Sequence, residues 1–307
     1  MAESAVFERT IITTNDDTDH NNIHNTIDSW LVYDAVDDAK VREARFGDSG
    51  SRHGAAESVS YKERSMPNLN PIDAQLLQIV SGASPASIAD VIAVMQSIDG
   101  LLPSNDGLKW FNRLYLMVTQ QINAQPPANG WEDATWLTRL DVVFAKFYFA
   151  AIVGALQQNA DTASSWDALF EARARAGVDR IQFALAGMNA HINHDLALAL
   201  LQTDDQLHLT PALQSPEHDD YEHVNGLLEE VLPSALNFLA TGIVGELAQD
   251  TGKVGRLLAI WNVRAARDLA WDFADHLRNL QGASRDLALE AQDKLTGVIG
   301  RSLLFPV

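Results

Sequence analysis

His191 and Asp195 stand four residues apart in the run Gly187-Met188-Asn189-Ala190-His191-Ile192-Asn193-His194-Asp195-Leu196. At about 100° per residue this spacing puts both side chains on one flank of a helix and Asn189 and Asn193 on the other. A carboxylate so placed can orient an imidazole, the base-and-orienter half of an acid–base dyad. The same pair offers one nitrogen and one oxygen to a divalent metal. Ile181, Phe183, Leu185, Met188, Ile192, Leu196, Leu198, Leu200 and Leu201 spread nearly all round the helical wheel, and a helix apolar on all sides is a core helix. An unpaired amide, imidazole or carboxylate there costs roughly 2–7 kcal/mol. The cluster is therefore either a closed hydrogen-bond network or a site. His194 points to the other side and reads as a partly exposed surface histidine.

Other polar residues can converge on this helix. Asp141 sits on the apolar face made by Leu137, Leu140, Phe144 and Tyr148, so its carboxyl must be paired or protonated. Asp220 and Asn225 lie near the start of a helix opened by Ser215-Pro216, where the helix dipole favours acids. Arg264, Arg267 and Trp271 share a helix with much apolar surface. An arginine there closes a buried carboxylate network, through Asp141, Asp195 or Asp220, or holds an anionic substrate. Tyr115 lies one turn from Thr119 and Asn112 and can line a pocket.

The elements that would position these residues are helical. Three- and four-residue spacing of apolar side chains predicts helices over 72–80, 86–98, 107–124, 131–157, 165–176, 178–203, 216–249, 252–280 and 283–304. No alternating strand pattern appears. The fold class expected is all-α: a single helical domain of about eight helices over 71–307, with the 178–203 helix buried at its centre. Residues 1–70 are rich in Asp, Asn, Ser and Arg and read as a poorly structured N-terminal arm. An ordered stretch at Ile27–Tyr33 and helical turns at Asp37–Arg45 fit within it, and the arm can pack on the main domain or link two copies as a homodimer.

Three stretches together are similar to an uncharacterised helical family of bacteria and fungi, domain of unknown function 5995. They are Asp106-Gly107-Leu108…Phe111-Asn112-Arg113-Leu114-Tyr115, Leu140-Asp141…Phe144-Ala145…Tyr148, and Gly187-Met188-Asn189-Ala190-His191-Ile192-Asn193…Asp195-Leu196. Asp220-Tyr221-Glu222…Val224-Asn225 and Trp261…Arg264…Arg267…Ala270-Trp271 extend the likeness over about residues 75–303. The family implies a set of positions and no activity. The His-x-x-x-Asp pair is also similar locally to that of helical zinc phospholipases and nucleases, whose further histidines are not evident here.

Composition narrows the functions. A formal net charge of −19 argues against nucleic acid and anionic membranes, since phosphate binding needs a basic footprint. With no cysteine there is no thiolate chemistry and no Cys-ligated zinc. The acidic start carries no secretory signal and the longest apolar run, Phe147 to Leu156, is short for a membrane span, so a cytoplasmic location is expected. There is no Gly-x-Ser-x-Gly, Gly-x-Gly-x-x-Gly or His-Glu-x-x-His motif, and Gly252-Lys253 is not a Walker loop.

The reading preferred is an enzyme acting on a small, mostly apolar molecule, as a cyclase, isomerase or hydrolase, without a cofactor. His191, Asp195 and Asp141 would carry the chemistry. Asn189, Asn193, Tyr115, Asp220, Asn225, Arg264, Arg267 and Trp271 would bind substrate. Two alternatives stay open: a divalent-metal hydrolase ligated by His191 and Asp195, and a non-catalytic ligand-binding or scaffold protein.

Overall fold

The computed structural model describes residues 69–159, 162–241 and 262–306. In chain order the helices are α1 (Pro71–Ser81), α2 (Ile88–Leu101), α3 (Gly107–Ala124), α4 (Ala134–Gln157), α5 (Ser164–Ala172), α6 (Arg180–Ala190), α7 (Leu196–Leu207), α8 (Pro216–Thr241), α9 (Val263–Arg278) and α10 (Ala283–Leu303). Between α6 and α7 the five residues His191–Asp195 form a π-helical turn, so α6 and α7 make one continuous rod. Among the described residues there is no strand, and the fold is all-α. The expected arm, with its segments at 27–33 and 37–45, lies outside the described residues apart from Leu69 and Asn70. So do 242–261, the facing ends of two expected helices.

Local chemistry sets the helix starts. Asn70, Ser87, Asp106, Asp133 and Asn262 each accept a hydrogen bond from a first-turn N–H of α1, α2, α3, α4 and α9. Such caps are worth about 1 kcal/mol each. Two helix starts, those of α4 and α5, are satisfied from a distance. The Asp220 carboxylate accepts from the N–H groups of Glu132 and Asp133 at 2.9 and 2.7 Å, just before α4. The Asp293 carboxylate accepts from Ser164 and Ser165, both at 2.8 Å, at the start of α5. An acid at a helix N-terminus also meets the favourable end of the helix dipole.

The α6–α7 rod runs through the core. α6 packs against α3, α5 and α10, while α7 packs against α4 and α9. The crossing with α3 is reciprocal. A Cβ on Gly107 would lie 2.4 Å from Phe183, and one on Gly187 would lie 2.3 Å from Phe111. Each helix thus uses a glycine to admit the other's phenyl ring. Gly187→Ala is expected to cost about 1–3 kcal/mol by overpacking this crossing. A urea midpoint equal to the parent's would refute that account.

Among the described residues α4 is the one helix long and apolar enough to cross a membrane, with a mean hydropathy of 1.5 over its best window. In the fold 61% of that window is buried. Trp136, Leu140, Val143, Tyr148 and Ile152 are in the core, so packing accounts for the apolarity.

Candidate functional site

The π turn decides how the central polar residues are arranged. Its wider repeat carries the Leu196 N–H to the carbonyl of His191, one residue beyond the α-helical partner. The inserted residue rotates the following side chains by about 100° relative to a regular α-helix. His191 and Asp195 still meet, with Nδ1 to Oδ2 at 2.9 Å. His194 now meets Asp195 as well, with Nδ1 to Oδ1 at 2.8 Å. The expectation of a surface His194 is corrected: its side chain is 13% exposed and belongs to the network. Trp166, from α5, donates its indole N–H to Asp195 Oδ2 at 2.9 Å.

Three donors therefore converge on one carboxylate that is 2% exposed. Burial alone would raise the Asp195 pKa, but the bonds from His191 and His194 hold it below the usual carboxylate value. Burial would also lower His194, yet its bond to Asp195 and the charges of Asp195 and Asp293 raise it above the ordinary histidine value. Burial dominates at His191, which is lowered. These shifts favour an ionised Asp195 and a neutral His191, and they favour the charged form of His194 beside them. With Asp195 ionised, His191 Nδ1 carries the proton and donates it. The lone pair of His191 Nε2 is then free, and that atom is buried with no hydrogen-bond partner.

Nε2 belongs to a residue lining a cavity of about 90 Å³ between α3, α4, the central rod, α8 and α9. Its wall is mostly apolar, from residues such as Leu114, Val118, Leu140, Met188 and Leu228. Five polar residues interrupt it: Tyr115, Thr119, Asp141, His191 and Arg267. The imidazole of His191 lies flat on Phe144, with ring centroids 3.5 Å apart and planes within 4°. The Tyr115 ring meets His191 edge-on at 4.7 Å. Asp141 Oδ2 and the Tyr115 hydroxyl are, like His191 Nε2, shielded from solvent and without a partner. Burial pushes the Asp141 pKa up to about 7, and with the nearby charge of Asp141 it pushes Tyr115 far above its ordinary value.

The other residues singled out in the sequence divide between this cavity and the scaffold. Asn189 donates to the Thr296 carbonyl at 2.8 Å and accepts from Asn193 at 3.0 Å, tying the rod to α10. Asp220 has both oxygens committed to the start of α4. Trp271 is buried against Tyr221, Trp136 and His218. The arginines do not pair with Asp141, Asp195 or Asp220 as expected. Arg264 reaches Glu222 and Glu229 at the surface, and Arg267 donates to the side chain of Asn225. Sequence reasoning misses Trp166, His194 and Asp293 as members of the network. Trp166 has no sequence signal beyond being a tryptophan in a short amphipathic helix.

The sequence pattern of the family of unknown function DUF5995 matches residues 88–306. That span holds the whole rod, the cavity and the network. No curated protein matches the chain, and no solved structure matches it.

Proposed function

We propose that this chain, which belongs to the DUF5995 family, is a cofactor-independent acid–base enzyme acting on a small, mostly apolar molecule held in the cavity. The observation that carries the reading is the partnerless Nε2 of His191, a residue that lines the cavity, while Nδ1 is tied to Asp195. An imidazole so held presents one lone pair in a fixed direction, as a general base must. Asp195 orients the ring and stabilises the imidazolium that forms when Nε2 takes a proton.

Asp141 supplies the complementary acid. Its pKa of about 7 leaves a substantial fraction protonated at neutral pH, beside a histidine lowered into its neutral form. A proton donor and a proton acceptor then line the same apolar space, the arrangement in which environments assign the two roles. Removing a proton at one carbon and returning one at another is an isomerisation. The apolar wall favours that chemistry over hydrolysis, which needs water in the cavity. A metal reading is less well supported by the donor set. Both oxygens of Asp195 and the Nδ1 of His191 already serve one another and two further donors, and among the described residues no group of three acidic or histidine side chains could hold an ion.

Untargeted mass spectrometry of a small-molecule extract incubated with the protein tests the proposal. The parent protein is expected to consume at least one species at a rate that falls about 10²–10⁴-fold in His191→Gln. Turnover unchanged in that variant would sink the acid–base reading. Binding without any turnover would favour the ligand-carrier alternative.

A further inference from the structure

Arg267 is the one arginine or lysine among the buried described residues, at 6% exposed. Its guanidinium lies over the Tyr221 ring, 4.1 Å from the centroid. Its Nε donates to Asn225 Oδ1. Asn225 in turn donates to Glu222 and Asp268, both at 3.1 Å, and Asp268 is exposed to solvent. Among the described residues no carboxylate lies within ion-pair distance of Arg267, whereas Arg113, Arg173, Arg264, Arg278 and Arg301 each have one. The most buried arginine of the described fold thus lacks a counter-ion there.

A buried charge without a counter-ion is costly, and Asn225 and Tyr221 offset only part of that cost. The two Nη groups make no hydrogen bond to any described residue, and Arg267 lines the same cavity as His191. Asp141, the one carboxylate on the wall, does not bond to it and leaves Oδ2 without a partner. A guanidinium offers two parallel N–H donors that match a carboxylate. No second arginine or lysine joins it on the wall, so the anion is small and singly charged, not a phosphate.

We propose that the cavity takes a small organic monocarboxylate, with its carboxyl group held by the Nη atoms of Arg267 and its apolar body against Leu114, Val118, Leu140 and Leu228. The Tyr115 hydroxyl and Thr119, on the same wall, are placed to take the remaining polar group of such a molecule. This rests on the reading of the cavity as the reaction site and names the substrate class for it. The carboxylate anchors one end and leaves the chain of carbons running toward His191, so the proton is removed from the acid's own carbon chain.

Calorimetric titration of the full chain at pH 6, where Asp141 is mostly uncharged, with carboxylates from butanoate to octanoate, beside the primary alcohols of equal length, tests the assignment. In the best-fitting pair the carboxylate is expected to bind about ten- to a hundredfold tighter than its alcohol, the worth of a hydrogen bond to a charged group. Arg267→Met should remove that preference and leave alcohol binding in place, while Arg267→Lys keeps part of it. His191→Phe should retain the preference, which separates anion binding from proton transfer. Equal binding of carboxylate and alcohol by the unaltered protein would overturn the proposal, even if Arg267→Met fails to fold. So would a preference that survives in Arg267→Met. Turnover that depends on His191 without any carboxylate preference would leave the acid–base reading standing and remove this one.

Discussion

Asp195→Ala is expected to be the most damaging single substitution in the domain, and His191→Phe a mild one. The two residues touch each other, so the contrast is a sharp test of which one holds the fold. Removing the Asp195 carboxylate leaves the Trp166 indole N–H, the His191 Nδ1–H and the His194 Nδ1–H without a common acceptor. Each buried donor left unpaired costs roughly 1–3 kcal/mol, more where it is charged, with His194 keeping only Asp293 at 3.8 Å. Together these approach the whole stability of an ordinary domain, about 5–15 kcal/mol. His191→Phe keeps the flat stack on Phe144 and leaves Asp195 two of its three donors. Its expected cost is one hydrogen bond, about 1–2 kcal/mol. Soluble yield and urea midpoints of the two variants measure the difference. Equal stability would mean that the carboxylate is not the centre of the network.

The same pair shows how far the sequence can be read. Apolar residues at three- and four-residue spacing put a helix through His191 and mark it as buried, because that periodicity is a property of the chain itself. The i,i+4 contact of His191 and Asp195 comes from the same geometry. The place of His194 does not. A π turn inserts one residue into the repeat, and a reading at constant angle sends His194 to the wrong side. Nothing in the run His191-Ile192-Asn193-His194-Asp195 distinguishes a π turn from an α turn. In that register His191, His194 and Trp166 all reach the one buried carboxylate.

Residues whose partners lie far along the chain are the hardest to place. Asp220 reads as an acid in the first turn of its own helix, yet it caps α4, 87 and 88 residues away in sequence. Trp166 has no reason to meet Asp195 until α5 packs beside α6. Arg267 reads as a cation on an apolar helix, and its partner is an asparagine rather than the expected carboxylate. Composition and spacing mark a costly buried group well. They do not say which distant group satisfies it, since that depends on helix crossings such as the Gly107–Phe183 and Gly187–Phe111 contacts.

Asp141→Asn is expected to stabilise the protein above pH 7 and to change little near pH 4. The Asp141 carboxyl has a pKa of about 7 in the fold against 3.8 as a free side chain. The folded chain therefore holds this proton more tightly than the unfolded one between those values. Its contribution is full below pH 3.8, falls as the pH rises through the window, and is lost above pH 7. A difference of one in pKa corresponds to about 1.36 kcal/mol, so the gap sets a ceiling of about 4 kcal/mol on what ionised Asp141 costs. An asparagine has nearly the same shape and no charge at any pH. The stability difference between variant and parent should thus grow from pH 4 to pH 7 and then level off. His194, which is raised, shifts stability in the same direction as Asp141, while Asp195 and His191, which are lowered, shift it the opposite way. All three are present in both proteins, so the difference isolates Asp141. Urea unfolding from pH 4 to pH 8.5 follows it. A constant offset across that range would show that Asp141 is already ionised in the fold. The amide also cannot give up the proton that the acid–base reading asks of this position. A variant both more stable and less active at pH 8 is therefore the expected outcome, as happens where a strained functional group is replaced by an inert one.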